Sequence, residues 1–239
     1  MIRAFFVTLI TLAYVFLCGP PVLLYGLLSS NPEPTYRTGI LGARLALWLS
    51  GVQLEVQGRE RIPGGGPVVF MANHQSNCDP PALLAVLPRV LVLVKKEFFR
   101  VPVIGSGMTM VGFIRVDRKN REKALDAVEK GVLALKAGKS FLVYPEGTRS
   151  PDGRLQSFKK GIFVMAIKAG APIVPISVSG SNKIMPKGKF VIRPGRVRLT
   201  FHDSVPTEGL TLEDRDIVID RVRQAILTGL TKDEWPTKE

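Results

Sequence analysis

The chain has 239 residues, 46% hydrophobic and 22% charged, and its 33 lysines and arginines against 20 acidic residues give a formal charge of +13. That length suits one large domain or one domain with an appendage, and the apolar content sets a disordered or low-complexity chain aside. The cationic excess calls for an anionic partner, which is a nucleic acid, an anionic membrane surface or a phosphorylated substrate; because the basic residues are spread along the chain, no nucleic-acid arm stands out.

In chain order, residues 4–28, AFFVTLITLAYVFLCGPPVLLYGLL, carry no charge, and about 20 apolar residues suffice to cross a bilayer. The CGPP at 18–21 interrupts the run, since an interior proline removes a helical hydrogen bond and clashes with the preceding turn. The uninterrupted piece, Ala4 to Leu17, is 14 residues long and suits a helix dipping into one leaflet. The apolar stretch is longer than a usual signal-peptide core and no A-x-A-like cleavage site follows, so a secretory signal is disfavoured. Residues 37–51, RTGILGARLALWLSG, place Leu41, Leu45, Trp48 and Leu49 on one helical face. Arg37 and Arg44 flank that stripe, where long side chains can snorkel toward headgroups; ordinary packing against a core is the alternative.

After Gly51 the texture changes. Strands are expected over 52–58, 66–74, 90–94, 111–118, 140–147, 171–180 and 196–203, and helices over 120–138 and 212–230, with a further helix opening near Pro81. Alternation of the two predicts an α/β fold: a mixed, largely parallel sheet covered by helices. The expected organisation is an N-terminal membrane-embedded two-helix motif over 1–50 followed by one domain over 51–239.

Candidate chemistry collects at predicted strand ends. In NHQSNCD, 73–79, His74 precedes Asp79 by five residues. On a continuous helix these would point apart. Asp79 precedes Pro80 and Pro81, however, and is biased away from the helical region, so a tight turn can fold the carboxylate back onto the imidazole. A carboxylate on one ring nitrogen fixes the tautomer and makes the other a general base. The spacing alone is equally served by Asp79 capping a helix. Cys78 is a second candidate nucleophile; the two cysteines, Cys18 and Cys78, have no metal-ligand spacing and build no disulfide framework. In YPEGTRS, 144–150, a strand runs into a turn bearing Glu146, Thr148 and Arg149. Arg149 can hold a phosphate bidentately, or pair with Glu146 on a solvated loop. Lys95 and Lys96, Arg115 and Arg118, and Lys159 and Lys160 add cations near other strand ends, and His202 reads as a strand residue.

NHQSNCD, GFIRVDR, YPEGTRS and VPISVSG occur in the order and spacing of the four motifs of the glycerolipid acyltransferase family, and the resemblance covers roughly residues 50–205. The chain is most similar to the bacterial 1-acyl-sn-glycerol-3-phosphate acyltransferase branch. The resemblance implies that His74 is the general base, oriented by Asp79, and that Glu146, Gly147, Thr148 and Arg149 form the third motif. Arg149 would grip the acceptor phosphate, with Glu146 shaping the loop. Gly112 and Arg118 match the second motif, Lys95 falls at a further phosphate contact, and Pro175 matches the fourth motif. Arg115 stands where the family has an apolar residue, and Tyr144 where phenylalanine is common. The resemblance further implies direct transfer from acyl-CoA or acyl-carrier protein to lysophosphatidic acid, with no cofactor, no metal and no acyl-enzyme. The expected setting is the cell inner membrane, among anionic phospholipids, with the active site facing the cytoplasm.

Overall fold

The computed structural model describes residues 2–117, 120–189 and 191–237. Helices α1 (Ile2–Ser29) and α2 (Glu33–Leu49) form an antiparallel hairpin. It is tied by Arg3 to the Leu49 carbonyl, Tyr14 to the Thr38 carbonyl and Thr35 to the Val22 carbonyl. The expected interruption at the prolines is absent: Pro20 and Pro21 lie inside one continuous helix. Adjacent prolines remove only two donors and hold φ near the helical value. Packing then carries the helix across the gap. A Cβ on Gly19 would fall 2.2 Å from Val103 Cγ1, and one on Gly26 would fall 2.5 Å from Met110 Sδ, so α1 lies directly on α4 (Ile104–Met110). Twenty-eight residues make α1 about 42 Å long. Among the described residues it is the one helix long and apolar enough to cross a bilayer.

The stripe expected on α2 faces outward, with Leu41 57% and Trp48 74% exposed, while Leu47 reaches the core instead. Arg37 pairs with Glu33 along the helix. Arg44, an exposed residue, donates to the Ala85 carbonyl (2.8 Å), satisfying an acceptor in the last turn of α3 (Asp79–Val86).

The seven strands are β1 (Val52–Gln57), β2 (Val69–Ala72), β3 (Val90–Lys95), β4 (Ile114–Val116), β5 (Ser140–Val143), β6 (Ile173–Ser179) and β7 (Gly195–Phe201). They pair in the order β1-β7-β6-β2-β5-β3-β4, and only β6 and β7 run antiparallel. The expected mixed, largely parallel sheet is therefore present. Its central strand β2 is buried on both faces: Phe70 and Ala72 pack toward α3, Val69 and Met71 toward the side covered by α5 (Arg121–Lys136), α6 (Lys160–Ala169) and α8 (Arg215–Thr228). A strand with no solvent face reads as a continuous apolar run, as VFMA does.

The helices α4, α6 and the short α7 (Ser181–Ile184) have no counterpart among the expected elements. IGSGMTM carries two glycines, each costing helix stability, and is held by its contact with α1. In α6, Phe163, Met165, Ala166 and Ile167 are all buried, and a short buried apolar run has the same pattern in a helix as in a strand.

Past the end of β2, the Asn73 side chain continues the sheet. Its amide donates to the Val178 carbonyl (2.8 Å) and its oxygen accepts from the Val178 N–H (2.7 Å), both fully buried. Replacing it with leucine strands two buried backbone groups on β6. Asn73→Leu should therefore cost about 3 kcal/mol, read as a lower midpoint in denaturant.

Candidate active site

Parallel strands bring their carboxyl ends to one edge of a sheet, where open α/β folds place their sites. The segments after β2 and β5, neighbours in the sheet, carry the first and third motifs. His74 Nδ1 lies 2.7 Å from Asp79 Oδ2, and the same oxygen accepts the backbone N–H groups of Gln75 (2.7 Å) and Ser76 (2.8 Å). Two N–H donors fix Oδ2 as an acceptor, which assigns the Nδ1–H tautomer and leaves the lone pair on Nε2. No described residue engages Nε2. Asp79 is fully buried and the imidazole 14% exposed.

The route to this pair differs from the expectation. Asp79 is not held outside the helix; it is the first residue of α3, after Cys78 at the cap. Pro80 and Pro81 fill the first turn, where a missing N–H costs no helical bond, so the bias against a helical residue before proline is overcome. The intervening residues have work to do as well. Ser76 Oγ donates to the Met185 carbonyl and accepts from Cys78 N–H, while Gln75 donates to the Gly153 carbonyl. Those ties join the turn to the segments after β5 and α7.

Glu146 is a strut between the two motifs. It is 2% exposed. One oxygen accepts His74 N–H (2.6 Å) and the other accepts the backbone and side-chain N–H groups of Gln156 (3.2 and 3.0 Å). It makes no ion pair with Arg149, and both its oxygens are already engaged. Burial pushes its carboxyl up to about 7, against the lowering by these donors. Ser150 N–H closes the frame on the His74 carbonyl (2.7 Å). The Tyr144 ring stacks on the imidazole, centroids 4.1 Å apart and planes 23° from parallel. Its hydroxyl and Asp79 Oδ1 are buried without a partner among the described residues. Gly147 takes φ +71°, a left-handed turn natural to glycine.

The cations divide into paired and unpaired groups. Lys95 ends β3 and pairs with Glu97 (3.6 Å); Lys96 pairs with Asp117 (2.6 Å) and Lys160 with Asp216 (2.9 Å). Arg115 lies over the Phe99 ring and donates to Thr109. Arg118 lies outside the described residues. Thr148 is exposed and Arg149 half-buried, and neither side chain has a hydrogen bond or ion pair among the described residues. Lys187, which belongs to none of the four motifs, donates to the Arg149 carbonyl (2.6 Å). Gly112 turns at φ +87°, Pro175 sits inside β6 opposite Met71, and His202 is bonded to Ser177 (2.7 Å), away from the dyad.

The Acyltransferase family model matches residues 53–179. A chloroplastic 1-acyl-sn-glycerol-3-phosphate acyltransferase of Brassica napus is 37% identical over 178 residues, 74% of this chain and 50% of that protein. The human 1-acyl-sn-glycerol-3-phosphate acyltransferase alpha is 34% identical over 183 residues, 76% of this chain and 65% of that protein. The chain belongs to the acyltransferase family. It spans about half the length of the first of its curated relatives. Among solved structures, the crystal structure of the 1-acyl-sn-glycerophosphate acyltransferase PlsC from Thermotoga maritima superposes with a TM-score of 0.82 at 27% identity, covering 95% of this chain and 94% of that one.

Next to the acyltransferase motifs lies an apolar cavity of about 450 Å³ between α1, α2, the start of α3 and α4. Pro80 and Pro81, directly after Asp79, form part of its wall, with Val15, Ala43, Leu84 and Met108 among the others. A cavity of this size and lining suits a small apolar ligand.

Cys78 is 5% exposed, and burial followed by the Asp79 charge pushes its thiol up to about 12. It is a neutral thiol at physiological pH, which removes it as a nucleophile. Iodoacetamide at pH 8 should modify Cys78 only after denaturation, as read by peptide mass.

Glu146 gives a second expectation. Its folded value is raised, so its contribution to stability is complete below the unfolded value near 4.5 and is lost as pH rises through about 7. The shift corresponds to about 3 kcal/mol across that window. Thermal midpoints in detergent should fall more steeply from pH 5 to pH 8 for the parent than for Glu146→Gln; parallel curves would overturn the assignment.

Proposed function

We propose that the protein transfers a fatty acyl group from acyl-CoA or acyl-carrier protein to the sn-2 hydroxyl of 1-acyl-sn-glycerol 3-phosphate, giving phosphatidic acid. One observation carries the reading: an imidazole clamped at Nδ1 by a buried carboxylate, with Nε2 unengaged at the strand edge. Membership of a family whose curated relatives bear this activity in their names supports it.

In this mechanism Nε2 takes the proton of the sn-2 hydroxyl as its oxygen attacks the thioester carbonyl. Asp79 stabilises the imidazolium that forms. The tetrahedral intermediate then collapses, the carbon–sulfur bond breaks, and the imidazolium returns the proton to the leaving thiolate. The oxyanion needs N–H donors. Those of His74, Gln75, Ser76 and Cys78 are engaged within the first motif or by Glu146. Those of Asn77, Thr148 and Arg149 have no partner among the described residues, and this mechanism assigns the adjacent pair on the third-motif loop, Thr148 and Arg149.

The acceptor phosphate is assigned to Arg149 and an acyl chain to the cavity beside Pro80 and Pro81. The α1–α2 hairpin holds this opening at the level of the lipid; the assigned setting is the cell inner membrane, with the strand edge toward the cytoplasm. Both substrates and the membrane surface are anionic, in keeping with a charge of +13.

His74→Ala and Asp79→Asn in the full-length protein should lower turnover at least about 10²-fold while the protein still sediments with membranes. Product masses should show phosphatidic acid formed from lysophosphatidic acid and no acylation of glycerol 3-phosphate. Unchanged turnover in His74→Ala would remove the mechanism.

A further inference from the structure

Lys187 reaches the backbone of the third-motif loop at Arg149. Lys187 Nζ donates to the Arg149 carbonyl at 2.6 Å, and neither the ammonium nor the Arg149 guanidinium forms an ion pair among the described residues. Three other lysines near the site or on the same stretch find carboxylates, Lys95 with Glu97 (3.6 Å), Lys96 with Asp117 (2.6 Å) and Lys183 with Asp233 (3.3 Å), while Lys159 and Lys189 form no ion pair among the described residues.

Lys187 is also held in place from the catalytic turn. Two residues before it, the Met185 carbonyl accepts from Ser76 Oγ (2.8 Å), inside the turn between His74 and Asp79. Residues 185–187 thus bridge the first and third motifs, with the Met185 carbonyl bonded to the first and the Lys187 ammonium to the third. An ammonium has three donors and the carbonyl takes one. A partly desolvated ammonium without a counter-ion is electrostatically unfavourable, and an anion that accepts its two remaining N–H groups reverses the sign.

We propose that Lys187 and Arg149 form one clamp for a phosphomonoester, the phosphate of the lysophosphatidate acceptor. Lys187 supplies a compact point charge and Arg149 the planar fork. The proposal rests on the acyl-transfer reading above, and it makes Lys187 an acceptor-specificity residue outside the four motifs.

The test uses the full-length protein in mixed micelles, with two readouts: equilibrium binding of lysophosphatidate in the absence of donor, and steady-state kinetics with both substrates varied. Lys187→Met should weaken lysophosphatidate binding and raise its KM by roughly 10–100-fold. The KM for acyl-CoA should stay unchanged, as should binding of monoacylglycerol, which lacks the phosphate. Lys187→Arg should restore most of the affinity, and Lys183→Met should match the parent. Three results would each overturn the clamp: unchanged lysophosphatidate affinity, an increase confined to the acyl-CoA KM, or a fall in kcat alone. Absence of phosphatidic acid from the parent protein would overturn the acyl-transfer reading, and donor-free binding would still decide the clamp separately.

Discussion

The buried carboxylate of Asp79 holds the site together. One of its oxygens receives an imidazole and two backbone N–H groups, so the whole turn from His74 to Ser76 is wrapped around a single acceptor. A buried charge stripped of its donors is costly, and the turn cannot open without exposing it to that cost. Imidazole orientation, the start of α3 and the direction of Nε2 all follow from this one contact. Glu146 repeats the device from the adjacent strand, receiving His74 N–H on one oxygen and Gln156 on the other. Two carboxylates, one opening α3 and one in the turn after β5, therefore fix the side chain and the backbone of one histidine.

The same turn links the polar edge of the sheet to the apolar hairpin. Asp79 belongs to the dyad, and the next two residues belong to the cavity wall. The proposed acyl transfer assigns a charged headgroup to the first environment and an acyl chain to the second. Small residues allow the helices the approach that shapes the cavity. Gly19 and Gly26 on α1 meet Val103 and Met110, and Gly42 on α2 meets Tyr14. Side chains at those points would collide before the hairpin could close on α4.

Some of this was legible in advance. Alternating strand and helix patterns carried the α/β architecture, because side-chain period follows backbone geometry directly. Helices α4 and α6 escaped: α4 is seven residues long with two glycines and shows no clear period, and the buried run in α6 reads alike in a helix and a strand. The continuity of α1 through Pro20 and Pro21 escaped for a related reason: the local rule against proline was outweighed by packing against residues some eighty positions away.

The sequence by itself determined the family and the candidate residues, because short motifs in fixed order single out His74, Asp79, Glu146 and Arg149 without reference to distance. Only the tertiary structure decided what each is bonded to. It made Glu146 a strut beneath His74, bonded Arg44 to the last turn of α3, closed off Cys78 as a thiol, and brought Lys187 to the Arg149 carbonyl across 38 residues of chain. The physical reason is that a hydrogen bond depends on positions in space. A chain most of whose successive strands are not neighbours in the sheet brings together residues whose separation in sequence carries no signal of contact.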